Sequence, residues 1–143
     1  VLVLWAVPQS THELAAGRLD GGSFVVHTDA TWYPAEHDHA RIWAWSSTGG
    51  GLRFTFRPAM DGVRRVRLAL VGLTPRPLEI RQDGRVLWRG GIGKKLQWIE
   101  LPAVAVVRGR AELELQSPVP AGRENADAGA RALGFAVYGV RID

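Results

Sequence analysis

The densest chemistry in the chain is an aromatic stretch, Trp32-Tyr33-Pro34-Ala35-Glu36, followed closely by Arg41-Ile42-Trp43-Ala44-Trp45-Ser46. Trp43 and Trp45 lie two residues apart, so on a strand they share one face. Exposed, such a pair stacks on a sugar ring, and Glu36 and Arg41 can hydrogen-bond its hydroxyls. Buried, the same residues are core or inter-sheet packing, which is where most Trp side chains go. Just before Arg41, Glu36-His37-Asp38-His39 brings imidazoles and carboxylates together in the manner of a zinc or other transition-metal site. His37 and His39 would share a strand face, but no third ligand follows at a recognised spacing. A polar, solvated loop is the competing assignment. Near the C-terminal end, Asp127 and Arg131 bracket the run to the last strand. They could pair and pin a loop, Arg131 could reach Glu36, or it could bind an anionic ligand. The candidate ligand-binding set is therefore Trp32, Tyr33, Glu36, Arg41, Trp43, Trp45, Asp127 and Arg131. His37 and His39 are weak metal candidates beside it.

Catalytic patterns are poor. There is no Gly-x-Ser-x-Gly elbow. Gly49-Gly50-Gly51 lies between strand patterns and not before a helix, so it reads as a turn and not as a phosphate cradle. No pair of carboxylates stands out as a glycosidase pair. Cysteine is absent, which removes disulfides, thiolate nucleophiles and Cys-ligated metal sites together. No enzyme activity and no cofactor are expected.

The elements that must position these residues are strands. The chain has 143 residues, 46% apolar and 22% charged, which suits one ordinary domain with a core. Apolar residues alternate with polar ones at Leu52, Phe54 and Phe56, at Val66, Leu68 and Leu70, at Leu78 and Ile80, and at Ala111, Leu113 and Leu115. Each run predicts an antiparallel strand with one face in a core and one in water. Further strands are expected at Phe24–His27, Arg41–Ser46, Val86–Trp88 and Leu96–Leu101, and Leu133–Ile142 should be covered on both faces. Asp83-Gly84 predicts a type I′ hairpin. Asp20-Gly21-Gly22, Asp61-Gly62, Pro75-Arg76-Pro77 and Pro118–Gly122 are further turn signals. His12–Arg18 is the one helical candidate, and Ser117–Ala132 a long loop. The expected fold is all-β: an antiparallel two-sheet β-sandwich, jelly-roll or galactose-binding-domain-like, of about eight or nine strands. A single domain should cover residues 1–143, with 1–17 as a possible membrane-proximal or partner-contacting lead-in. Val1–Val7 is apolar but too short to span a bilayer, and reads as a first strand or the end of a membrane helix. No signal peptide is visible.

The charge balance is basic, with 18 Lys+Arg against 14 Asp+Glu, and only Lys94 and Lys95 are lysines. The arginines are scattered through the strands, and no basic run exceeds two residues. Arg53, Arg57, Arg65, Arg67 and Arg81 fall on the polar faces of alternating strands. Nucleic-acid binders concentrate charge in a patch, so nucleic acid is an unlikely partner. An anionic lipid surface or a protein partner suits this distribution better.

The order of Asp20-Gly21, Trp32-Tyr33-Pro34-Ala35-Glu36, Arg41 with Trp43, Trp45 and Ser46, Asp83-Gly84, Pro118 to Pro120, Asp127, Arg131 and Leu133-Gly134 resembles one bacterial domain type. It is the C-terminal extracytoplasmic β-sandwich of polytopic membrane glycosyltransferase-like proteins of Chloroflexi type. The resemblance covers roughly Arg18 to Asp143. It implies a non-catalytic accessory or interaction domain in the bacterial envelope, membrane-associated, with a membrane protein or membrane surface as partner and a glycan as a further one. Two alternatives follow from the residues. One is a carbohydrate-binding module with an aromatic platform. The other is a small envelope-complex subunit packed on a membrane protein.

Overall fold

Alternating burial runs through almost every strand of the protein, in a computed structural model that describes residues 12–127 and 129–143. In chain order the strands are β1 (His12–Leu19), β2 (Gly22–Thr28), β3 (Glu36–His37), β4 (Ile42–Ser46), β5 (Gly49–Arg57), β6 (Gly62–Gly72) and β7 (Arg76–Gln82). They continue with β8 (Arg85–Ile92), β9 (Gln97–Val106), β10 (Arg110–Gln116), β11 (Gly122–Arg123), β12 (Ala132–Leu133) and β13 (Phe135–Ile142). Strand β10 shows the pattern cleanly: Ala111, Leu113 and Leu115 are buried, while Glu112 and Glu114 face water.

Two antiparallel sheets result. One has six strands in the order β1-β2-β5-β10-β7-β8, the other five in the order β3-β4-β13-β6-β9. The chain repeatedly crosses between them, as in a jelly roll, and β11 and β12 form a separate short pair. The sandwich is the architecture expected from the alternation. It holds thirteen strands among the described residues, in place of eight or nine, because three of them are two-residue pairings that no periodicity reveals and β1 forms where a helix was expected.

Inner faces of both sheets build one core, from Phe54, Leu68, Leu70, Leu78, Ile80, Leu101, Leu113, Leu115 and Phe135 among others. Burying each such side chain stabilises the fold by roughly 1.5–3 kcal/mol. Strand β7 carries two polar residues at its ends on the inner side, around Leu78 and Ile80. Gln82 is satisfied in both directions by the Ala105 main chain, donating from Nε2 at 2.7 Å and accepting at Oε1 at 2.9 Å. Arg76 is 4% exposed and donates to Thr74 from Nε and Nη2 at 3.2 and 2.9 Å. Burial pushes its pKa below the ordinary arginine value.

The Asp83-Gly84 hairpin is present, with φ of 50° and 77°, the left-handed pair of a type I′ turn. A second such turn joins β9 to β10 at Arg108-Gly109, with φ of 52° and 76°. Its amide at Arg108 donates to Asp61 Oδ1 at 2.7 Å.

Three expectations are corrected. His12–Arg18 is strand and not helix: β1 pairs with β2 from His12↔Thr28 to Leu19↔Gly22. An isolated helix this short is marginal, whereas the hairpin satisfies its backbone and buries Leu14. It follows that residues 12–17 of the expected lead-in belong to the sheet, while Val1–Val7 lies outside the described residues. Gly49-Gly50-Gly51 is the start of β5, paired with Gln116, Leu115 and Glu114, and not a turn. Arg76 and Pro77, read as part of a turn, open β7. Among the described residues no helix is long and apolar enough to cross a membrane.

Candidate functional site

Strand β4 sorts its side chains by parity. Ala44 and Ser46 are fully buried on the core side, and Trp43 and Trp45 project from the opposite, outer face of the five-stranded sheet, each partly exposed. The register brings neighbours onto that face. Glu36 of β3 lies directly opposite Trp43, and Ala136 of β13 directly opposite Trp45. A register shift between Val137 and Gly139 then sets Tyr138 beside Trp43. Their rings stack, with centroids 5.3 Å apart and planes within 5°. The Arg41 guanidinium sits 5.5 Å from the Tyr138 ring centre, a favourable approach of cation to aromatic face. Burial holds the Tyr138 phenol above its ordinary pKa, and the nearby Arg41 partly opposes this. The phenol therefore stays protonated as a donor.

Trp32 belongs elsewhere. It is 4% exposed, meets Phe135 edge-on at 5.7 Å and donates its indole N–H to Gly51 O at 3.0 Å. The expected stacking role for Trp32 is thus corrected: it is core, and its one polar atom is spent on the backbone. Tyr33 returns to the outer side, with its N–H on Trp45 O at 2.9 Å and its hydroxyl on Ala132 O at 3.1 Å.

Arg131 ties the end of the long loop to this face. Its Nη1 lies 3.0 Å from Glu36 Oε2, and its Nε and Nη2 hold the two Glu124 oxygens at 3.1 and 2.6 Å. The Glu124 bonds are bidentate, the stronger and more orienting arrangement. They hold the Glu124 carboxyl below its usual range, and Glu124 together with Glu36 raises the Arg131 pKa. The guanidinium is also 5.5 Å from the Tyr33 ring centre. The expected Asp127–Arg131 pair is not made. Asp127 is exposed and uses its main chain, accepting from Ala130 and donating to Asn125 Oδ1. The short β11–β12 pairing turns Arg131 away from Asp127 and towards Glu36 and Glu124. Of the eight residues singled out, the outer face therefore gathers Tyr33, Glu36, Arg41, Trp43, Trp45 and Arg131.

The His37–His39 segment is a strand end followed by a turn. Asp38 accepts the amides of Ala40 and Arg41 at 2.8 and 2.7 Å, and these bonds lower its pKa. His37 ends β3 and His39 lies in the turn, so the two do not share a strand face. Among the described residues no three His, Asp or Glu side chains converge on a metal-sized point.

A second feature was not anticipated. An open groove of about 690 Å³ runs over the outer face of the six-stranded sheet, past Gly49, Gly51, Arg53, Arg81, Glu112 and Glu114. The triple glycine was its one signal in the sequence, and it marks strand positions where side chains would collide. A Cβ on Gly50 would lie 2.1 Å from Trp32 Nε1, and one on Gly51 would lie 2.7 Å from Asp29 Oδ2.

With that geometry in place, comparison adds the following. No protein-family model and no curated protein matches the chain. Solved structures similar to it include carbohydrate-binding module CBM36 in complex with calcium and xylotriose, at 9% identity and a TM-score of 0.43, over 94% of this chain and 100% of that one. The C-terminal CBM6 of a marine laminarinase from Zobellia galactanivorans is similar at 9% identity and a TM-score of 0.47, over 92% and 96%. A family two carbohydrate esterase from Clostridium thermocellum, in complex with cellohexaose, is similar at 11% identity and a TM-score of 0.45, over 75% of this chain. The chain spans only 28% of that esterase's length. Likeness at this level assigns no function to this chain.

Proposed function

We propose that the protein is a carbohydrate-binding domain whose ligand stacks on Trp43 and Trp45. Glu36 and Arg131 supply hydrogen bonds beside the rings, and Arg41 borders them. One observation carries this: the sheet places both indoles on an outer face, at alternate positions where other strands present Arg and Glu. An indole left partly in water covers no core, while its flat apolar surface and N–H suit a ring that is apolar on one face and hydroxylated at its edge. Arg131 is held by both Glu36 and Glu124, and Glu36 by Arg131, so their polar atoms are ordered before a ligand arrives and less entropy is lost on binding.

The test is calorimetric titration with a panel of neutral hexasaccharides (cellohexaose, xylohexaose, laminarihexaose). Trp43→Ala and Trp45→Ala should each weaken binding about tenfold or more, as truncation of a central aromatic anchor does. Absence of heat with every member of the panel, or unchanged affinity in both variants, would contradict the proposal.

We extend the proposal to the setting that the sequence resemblance implies: an extracytoplasmic accessory domain of a membrane-associated protein that holds glycan near its partner. Fractionation of the native host should recover the protein with the envelope, and recovery in the cytosol would contradict this.

A further inference from the structure

The groove on the six-stranded sheet has a floor of glycine backbone with the Asp29 carboxylate beside Gly51, and walls of polar side chains. Gly51 lies opposite Glu114, and Gly49 opposite Gln116, so both glycines face the same side as those polar residues. Next along the ladder, His27 lies opposite Arg53, and Arg53 opposite Glu112. On the far side Glu114 lies opposite Arg81 of β7. The strip β5-β10-β7 is two inter-strand spacings wide, about 10 Å, and the small residues Gly49 and Gly51 lower one side of it into a trough, with the Asp29 carboxylate set in beside Gly51.

The glycines are held from both sides. Trp32 fills the inner side of Gly50 beneath the sheet, and on the groove side Asp29 accepts the Gly51 amide with Oδ2 at 2.8 Å, its carboxylate lying where a Gly51 side chain would begin. The trough is therefore a fixed feature of the fold.

The wall chemistry selects its occupant. Arg53 and Arg81 only donate, Glu112 and Glu114 only accept, and Gln116 and Thr48 do both. Arg53 and Glu112 are joined at 3.0 Å. A polyanion laid in the trough meets Glu112, Glu114 and Asp83, and a polycation meets Arg53 and Arg81. A chain of hydroxyls, each both donor and acceptor, finds partners of both kinds. We infer that this trough is a second binding site, for an uncharged oligosaccharide held by hydrogen bonds without aromatic stacking. It lies on the sheet opposite the aromatic face, so one molecule can engage two glycan strands at once. It does not depend on the aromatic face binding anything.

Amide NMR with the labelled protein tests this against the same three neutral hexaoses and against hexagalacturonate. With at least one neutral hexaose, the amides of Gly49, Gly50, Gly51, Glu114 and Gln116 should shift. The shifts should persist in the double variant Trp43→Ala/Trp45→Ala, which separates this site from the aromatic one. In Glu114→Ala/Gln116→Ala, both exposed positions, affinity at the trough should fall about tenfold, with the rest of the spectrum unchanged. No shift at these amides with any neutral hexaose overturns the inference. So does a larger response to hexagalacturonate, or loss of the shifts in the tryptophan double variant.

Discussion

Trp32 and Trp43 show how one residue type takes opposite jobs. Trp32 is driven inward, where its ring meets Phe135 and its N–H is taken by Gly51. Trp43 stands on the outer face against Tyr138. Stability and binding should therefore separate between them. Trp32→Phe removes a buried hydrogen-bonded donor and part of a filled volume, and should cost about 1–3 kcal/mol in denaturant unfolding, with glycan affinity little changed. Trp43→Ala should cost less stability and more affinity. Gly50→Ala tests the same packing from the other side. Its new methyl meets Trp32 Nε1, and overpacking of this kind costs about 1–3 kcal/mol. A variant as stable as the parent would show that the indole does not press on Gly50.

Among the elements, those with strict alternation were legible in the sequence, because one buried face forces a period of two. Strands β5, β6, β7 and β10 follow from Phe54, Leu68, Ile80 and Leu113 in this way. The Asp83-Gly84 hairpin was legible because its two left-handed residues have a characteristic pair of types. Arg108-Gly109 makes the same turn and was missed, since arginine at positive φ is not a turn signal. Strand β1 was missed because HELAAGRL has good helix formers, and only its partner β2 decides the matter. The site was half legible. Proximity in sequence pointed to Glu36, Arg41, Trp43 and Trp45, whereas Tyr138 arrives through a bulge and Glu124 through a loop closure that no spacing encodes. That closure has a pH signature. Glu124 titrates below its ordinary 4.5 in the folded state, chiefly through its bonds from Arg131. Its contribution is present above pH 4.5 and is lost as pH falls through the lowered folded value. Glu124→Gln should accordingly flatten the fall in stability below pH 4.5, as followed by thermal unfolding across pH. An unchanged acid limb would mean that the loop is held otherwise.

At the scale of the molecule, the basic balance dissolves into local pairs. Arg53 meets Glu112, Arg65 and Arg67 meet Glu100, Arg81 and Arg89 meet Glu79, and Arg131 meets Glu36 and Glu124. Exposed pairs of this sort add little stability, but they interrupt any continuous positive field. What remains distinctive is the pair of outer faces, one aromatic and one a polar trough, set back to back by the sandwich. The central claim is that Trp43 and Trp45 meet sugar. The most direct measurement is indole N–H NMR during titration with the neutral hexasaccharide panel. The signals of Trp43 and Trp45 should move with saturation while that of Trp32, bonded to Gly51, stays in place. Unmoved Trp43 and Trp45 signals with every sugar would contradict the account.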